Sequence, residues 1–140
     1  MTSTACPTSM VLDTSALLAI LLREPEAELF ARLIEEDPTR LLSAANYLET
    51  AMVIETRRGP EGGRDLDLLL HRTRAEVVAL TLEQAELARA AWRRYGKGRH
   101  PAGLNFGDCM AYALAQHSGE RLLAKGADFA RTDVARAWPE

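Results

Sequence analysis

Cysteine pairs, long apolar runs and surplus positive charge are all missing from this chain of 140 residues. Its two cysteines, Cys6 and Cys109, stand far apart and outside any CxxC or Cys/His ligand spacing. That excludes a zinc site and a disulfide framework and makes a reducing cytosol the expected compartment. No stretch approaches the roughly 18 apolar residues of a membrane helix, and no charged-then-apolar signal opens the sequence. A net charge of −3 gives no bulk attraction for nucleic acid. Neither a GxxxxGK[ST] phosphate cradle nor a GxSxG elbow occurs, and Gly96-Lys97-Gly98 follows a helical pattern, the wrong context for a nucleotide fingerprint. Nucleotide hydrolases, dinucleotide enzymes and serine hydrolases are set aside on that basis.

What remains is an ordinary globular composition, 47% apolar and 26% charged, in a chain long enough to bury one core. Residues 1–9 carry no periodicity and are expected to form a loose leader before a single domain over 10–140. Short apolar runs at 10–13, 41–42, 77–80 and 122–124 read as strands. Between them lie helical patterns: from about Ser15 to Leu22, from a first turn holding Pro25 to Pro38, and from Ser43 to about Arg57. Further helices carry Leu66, Leu69 and Leu70, run from a Thr81/Gln84 capping box to Tyr95, and span Phe106 to His117. Gly59-Pro60 and Gly62-Gly63 are expected to break the third pattern. The tail after Phe129 gives no clear assignment. Strands alternating with amphipathic helices predict an α/β fold with a mostly parallel sheet covered on both faces. In such sheets, sites form beyond the carboxyl ends of the strands.

Four acids sit where that architecture would aim them at one crevice. Asp13 ends the first strand, although it could instead cap the next helix. Glu49 lies with Met52 and Val53 on one helical stripe, taken here as facing inward; a solvated position is the plain alternative. Asp108 shares a face with Ala111, Tyr112 and Ala115, in a first turn where dipole stabilisation or capping would also place an acid. Asp128 follows Lys125-Gly126-Ala127, where an ordinary turn aspartate is also expected and Thr132 and Asp133 compete for the role. Two carboxylates about 4 Å apart repel by roughly 4 kcal/mol at an effective dielectric near 20. A divalent cation is the usual remedy, and carboxylate-held metal suits phosphoryl chemistry. The hydroxyls of Thr14 and Ser15 are placed to orient Asp13.

Basic residues cluster locally despite the net charge. Arg57 and Arg58 lie in one stretch, and Arg93, Arg94, Lys97 and Arg99 in another. They serve either as solvated helix faces or as contacts to an RNA backbone. His71, His100 and His117 lack catalytic company and read as structural or surface groups. Cys109 reads as a small core residue.

Met10-Val11-Leu12-Asp13-Thr14-Ser15-Ala16-Leu17 resembles the opening of PIN-domain ribonucleases, and Leu42 to Glu49 resembles their second acidic motif. The run Tyr95-Gly96-Lys97-Gly98-Arg99-His100-Pro101, continuing through Leu104-Asn105-Phe106-Gly107-Asp108-Cys109, is similar to the VapC subgroup, toxins of bacterial VapBC pairs. So is Leu122 to Gly126 with Asp128-Phe129 and Thr132-Asp133. The match runs in order across residues 10–134. The resemblance implies a PIN-like three-layer α/β/α sandwich and Mg²⁺ or Mn²⁺ dependence. It also implies an RNA substrate, a homodimer and a VapB-type antitoxin. Asp13, Glu49, Asp108 and Asp128 match the family's acidic positions, with Asp13 and Asp108 the firmest metal ligands and Asn105 and Thr132 in support. Ala127 departs from the Asn or Asp usual there. Helices near 15–34 and 45–56 would frame the antitoxin's groove.

These features lead to a metal-dependent endoribonuclease. One rival is a non-catalytic RNA- or ribosome-binding module with a degenerate site, which Ala127 favours. Another is a phospho-accepting domain using Lys125, which would want adjacent acids where Thr14 follows Asp13.

Overall fold

The computed structural model describes residues 9–139; most of the expected leader, Cys6 included, lies outside them. β1 (Ser9–Leu12) leads into α1 (Thr14–Leu21) and α2 (Ala27–Glu36), then β2 (Thr39–Ser43) and α3 (Ala44–Thr73). β3 (Glu76–Val78), α4 (Leu82–Tyr95), α5 (Phe106–Ser118) and β4 (Arg121–Leu123) follow. A 3-10 turn (Asp128–Arg131) and β5 (Arg136–Trp138) close the domain. The strands form one sheet in the order β3-β2-β1-β4-β5, every pairing parallel. From β1 the chain steps outward to β2 and β3, then returns to β1's other edge for β4 and β5. The connections therefore diverge at the carboxyl end of β1, where a parallel sheet opens a crevice.

The pleat sorts the two cores. Met10 and Leu12 of β1 join Leu17, Phe30, Ile34, Ile54 and Leu66 in the layer of α1, α2 and α3. Val11, between them, points to the opposite layer with Tyr95, Leu104, Tyr112 and Leu114 of α4, α5 and their connection. Leu123 and Leu122 of β4 divide the same way. Each central strand is apolar on both sides, and the result is a three-layer α/β/α sandwich.

Several boundaries differ from expectation for identifiable reasons. Ser9, assigned above to the leader, is already in β1, where its N–H donates to Glu120 Oε2 at 2.9 Å. Pro25 lies in the turn before α2 instead of its first helical turn. α3 breaks only at Gly59 (φ 63°, ψ −154°), and Pro60 starts the segment beyond it. Gly62 and Gly63 stay helical. A Cβ on Gly62 would lie 2.6 Å from the Ile54 carbonyl oxygen, so glycine there permits the fold-back. At the start of α4, Thr81 accepts from the Gln84 N–H, but the Gln84 side chain turns to the Ala79 carbonyl and the box is half made. β5 escaped the sequence because Arg-Ala-Trp has no period of its own; pairing with β4 and the packing of Trp138 on Phe30 define it. Among the described residues no helix is long and apolar enough to cross a membrane.

Candidate active site

Asp13 is the N-cap of α1 and is 3% exposed. Capping and site-facing roles turn out to belong to different oxygens. Oδ2 accepts the Ser15 N–H at 3.0 Å and the Ser15 hydroxyl at 2.6 Å. Oδ1 is buried with no donor. Ser15 Oγ also accepts the Lys125 N–H at 2.9 Å, which ties the end of β4 to the same carboxylate.

Glu49 reaches the site from α3, though not through the expected inward stripe. The buried face of that helix is Asn46, Thr50 and Ile54, whereas Met52 is 61% and Leu48 57% exposed. Glu49 is half-buried beside that face. Its Oε1 accepts the Thr14 hydroxyl at 2.6 Å, so Thr14 orients Glu49, while Ser15 orients Asp13.

Asp108 occupies the third position of α5 in a reciprocal capping box. Its Oδ2 accepts the Asn105 N–H at 3.0 Å, and Asn105 Oδ1 accepts the Asp108 N–H at 2.9 Å. Ala111, Tyr112 and Ala115 below it are buried, which seats α5 closely on the sheet. Asp128 starts the 3-10 turn and is exposed.

The four carboxylates share one electrostatic neighbourhood. Burial, reinforced by Asp108 and Glu49 against the opposing Ser15 bonds, raises the Asp13 carboxyl to about 7. Burial also raises Asp108, with Asp128 and Glu49 adding to it. Among the described residues none of the four forms an ion pair. Lys125, three residues before Asp128, is drawn instead to Glu24 and Glu26 at 3.1 and 3.4 Å, and Arg131, three residues after it, donates to the Pro101 carbonyl. No three acidic, histidine or cysteine side chains among the described residues converge closely enough to enclose an ion as they stand. The donor set is nonetheless one that hard, oxygen-seeking Mg²⁺ or Mn²⁺ suits: carboxylates alone, uncompensated, with one buried oxygen unpartnered.

Two residues that build the site were missed in the sequence. Asn46, fully buried, donates from Nδ2 to Thr14 Oγ1 at 3.1 Å and to the Gly107 carbonyl at 3.0 Å. It thereby joins the helices carrying Glu49, Asp13 and Asp108. The available signal was a polar residue one helical turn before Glu49. At Gly107, a Cβ would lie 2.3 Å from Glu49 Oε1. Any larger residue there would have to push that carboxylate aside.

The remaining candidates separate. Thr132 lies in a turn, accepting the Val134 N–H and donating to the Phe129 carbonyl. Asp133 is held by Tyr112, Gln116 and Arg94. Arg58 is a structural tie, donating to the Leu21 carbonyl at 2.9 Å and pairing with Asp65 at 3.0 Å. Arg94 lies over Tyr95 and beside Asp133. Arg57 and Arg93 are exposed, Lys97 borders a cavity, and Arg99 covers Trp92. His71 is exposed, His100 packs on Tyr95, and His117 sits 3.5 Å from Glu83. Cys109 is buried and its thiol is pushed up to about 11 by burial and Asp108.

With this geometry established, comparison with known proteins is direct. The PIN domain family matches residues 10–135. Ribonuclease VapC30 of Mycobacterium tuberculosis is 60% identical over 126 residues, covering 90% of this chain and 96% of the relative. A ribonuclease VapC of Mycolicibacterium smegmatis is also 60% identical, covering 90% and 98%. In three dimensions the fold matches Mycobacterium tuberculosis VapC20, described as a sarcin-ricin loop cleaving toxin, with a TM-score of 0.74 at 19% identity over 90% of this chain and 96% of that one. At that identity the likeness is one of fold. The sequence matches, spanning nearly the whole of both chains, carry the closer assignment: the chain belongs to the PIN-domain family and, within it, to the VapC ribonucleases.

Proposed function

We propose that this protein is a Mg²⁺- or Mn²⁺-dependent endoribonuclease and the toxin of a type II toxin–antitoxin pair. The observation that carries the proposal is the buried, unpartnered Oδ1 of Asp13, set in the field of Glu49 and Asp108 with no basic side chain among the described residues to neutralise it. The 60% identity to named VapC ribonucleases supports the same assignment. Asp13 and Asp108 are the ligands, with Glu49 and Asp128 completing the donor set. A bound divalent ion supplies positive charge that acidifies a water and offsets the charge developing on the attacked phosphate. The protein's own part is positional. Ser15 fixes Asp13, Thr14 fixes Glu49, and the Asn105 cap fixes Asp108, so each acid is presented without a search through rotamers. Arg57, Arg93, Lys97 and Arg99 hold the RNA backbone, with salt-sensitive affinity.

The protein acts as a homodimer restrained by a VapB-type antitoxin. The exposed Leu48 and Met52 on α3 support a groove for such a partner, which would inhibit by placing a basic side chain among the acids. The test of the chemistry is cleavage of structured RNA with Mg²⁺, with EDTA, and by Asp13→Asn and Asp108→Asn. Activity is expected only in the wild-type protein with metal; robust metal-dependent cleavage by both variants rejects the assignment. The rival binding-module role draws on exposed Ala127 and on the lack of a closed metal cage among the described residues. Calorimetry with Mn²⁺ separates the two, since tight RNA binding without metal binding favours the module.

A further inference from the structure

Beside the acids lies an aromatic surface that hydrolysis does not use. Trp92 of α4 and Phe106 at the start of α5 line a cavity of about 410 Å³, with Leu104 and Met110 adding to its apolar wall. Phe106 is 73% and Trp92 44% exposed, a large aromatic area to leave in water around one cavity. The indole is held in place. The Arg99 guanidinium carbon lies 4.1 Å from its centroid, and a Cβ on Gly96 would come within 2.6 Å of its Cδ1. Arg99 takes one face of the ring and does not line the cavity, so the indole surface toward the cavity is ordered before any ligand arrives.

The rim and the neighbourhood identify the ligand. Arg89 and Lys97 border the cavity, and among the described residues neither stands within ion-pair distance of a carboxylate. Asn105, also in the lining, is the residue whose N–H binds Asp108 Oδ2, so cavity and acid cluster share a wall. An uncharged aromatic ring carried on a polyanion matches an apolar floor with a cationic margin; an apolar peptide side chain would leave the cations unmatched. Sequence-tolerant binding of single strands uses this combination of stacking faces and basic groups.

We propose that this cavity receives one unstacked nucleobase of a single-stranded RNA segment, adjacent to the phosphodiester presented to the acids. Trp92 and Phe106 supply the stacking surfaces, and Arg89 and Lys97 take the flanking phosphates. The site rests on the ribonuclease role proposed above and deepens it, because it makes the single-stranded part of the substrate the part that is read.

The test uses the Asp13→Asn protein, expected to bind RNA without cleaving it, titrated with a short fluorescent single-stranded RNA of mixed sequence. Trp92→Ala and Phe106→Ala should each weaken binding roughly tenfold, and Phe106→Tyr should retain it. With Asp13 intact, Mn²⁺ affinity should be unchanged by Trp92→Ala or Phe106→Ala. Unchanged RNA affinity in both alanine variants overturns the site. So does a change of sedimentation mass or antitoxin capture with RNA affinity intact, which assigns the cavity to a protein partner. The two proposals fail separately: wild-type protein that cleaves no RNA, with binding still lost in the alanine variants, removes the hydrolysis and keeps the cavity.

Discussion

The two ends of the parallel sheet treat a buried aspartate in opposite ways. Asp37, just before β2, is 5% exposed; its Oδ2 accepts Arg121 Nη2 at 2.8 Å and its Oδ1 accepts the Thr39 N–H at 3.2 Å. Asp13, just after β1, is equally buried but has Ser15 on one oxygen, nothing on the other, and two acids nearby. At the amino ends of the strands the charge is matched within the chain. At the carboxyl ends it is left open. A fold gains nothing by stranding a carboxylate, so the unmatched end is where a ligand belongs.

Exchange of each aspartate for asparagine gives the largest contrast. Asp13→Asn should lower RNA cleavage a hundredfold or more, on the order expected when a group that stabilises transition-state charge is lost. It should leave the metal-free protein as stable as before or more so at pH 8. Asp37→Asn should cost about 3 kcal/mol in denaturant unfolding, because Arg121 loses its partner, while the folded fraction keeps its specific activity. Comparable destabilisation by both substitutions would erase the distinction between the two ends.

A pH series sharpens it. In the folded, metal-free protein Asp13 holds its proton to about 7, against an ordinary value of 3.8. The native state binds more protons in that interval, so Asp13's contribution is complete below the ordinary value and is lost as pH rises through 7. Stability should fall by a few kcal/mol, to order of magnitude, across that window; Asp13→Asn should flatten the slope, and Mn²⁺ should restore stability at pH 8. Denaturant titrations at successive pH values measure it. A Asp13-dependent rise in stability over the same window would mean that the carboxyl is paired after all.

The smallest expected effect comes from Gly107→Ala. Its methyl must displace the Glu49 carboxylate, costing about 1–3 kcal/mol of stability and roughly tenfold in Mn²⁺ affinity by calorimetry. Wild-type affinity would show that Glu49 is not held where the ligand binds.

How much could be read from the chain alone varies with the range of the interaction. The β1 apolar run, the Thr81 start and the Gly59 break are local features, set by side-chain period, caps and backbone freedom. Three residues of β5 carry no such signal, and only the edge of β4 makes them a strand. Glu49 was noticed for the wrong neighbours: the apolar Met52 and Val53 suggested an inward stripe, but polar Asn46 and Thr50 mark the buried face. Arg58 read as an RNA contact or a solvated helix face, until the α3 fold-back brought the Leu21 carbonyl and Asp65 to it.

The sequence by itself determined the order of strands and helices as far as β4 and the short list of acids, because both follow from residue type and spacing along a few turns of chain. Tertiary structure decided which of those acids lie near one another, which oxygen of Asp13 is left without a donor, and which arginines are already occupied. Those outcomes depend on desolvation and on Coulomb interactions across space, between residues that the sequence separates by dozens of positions.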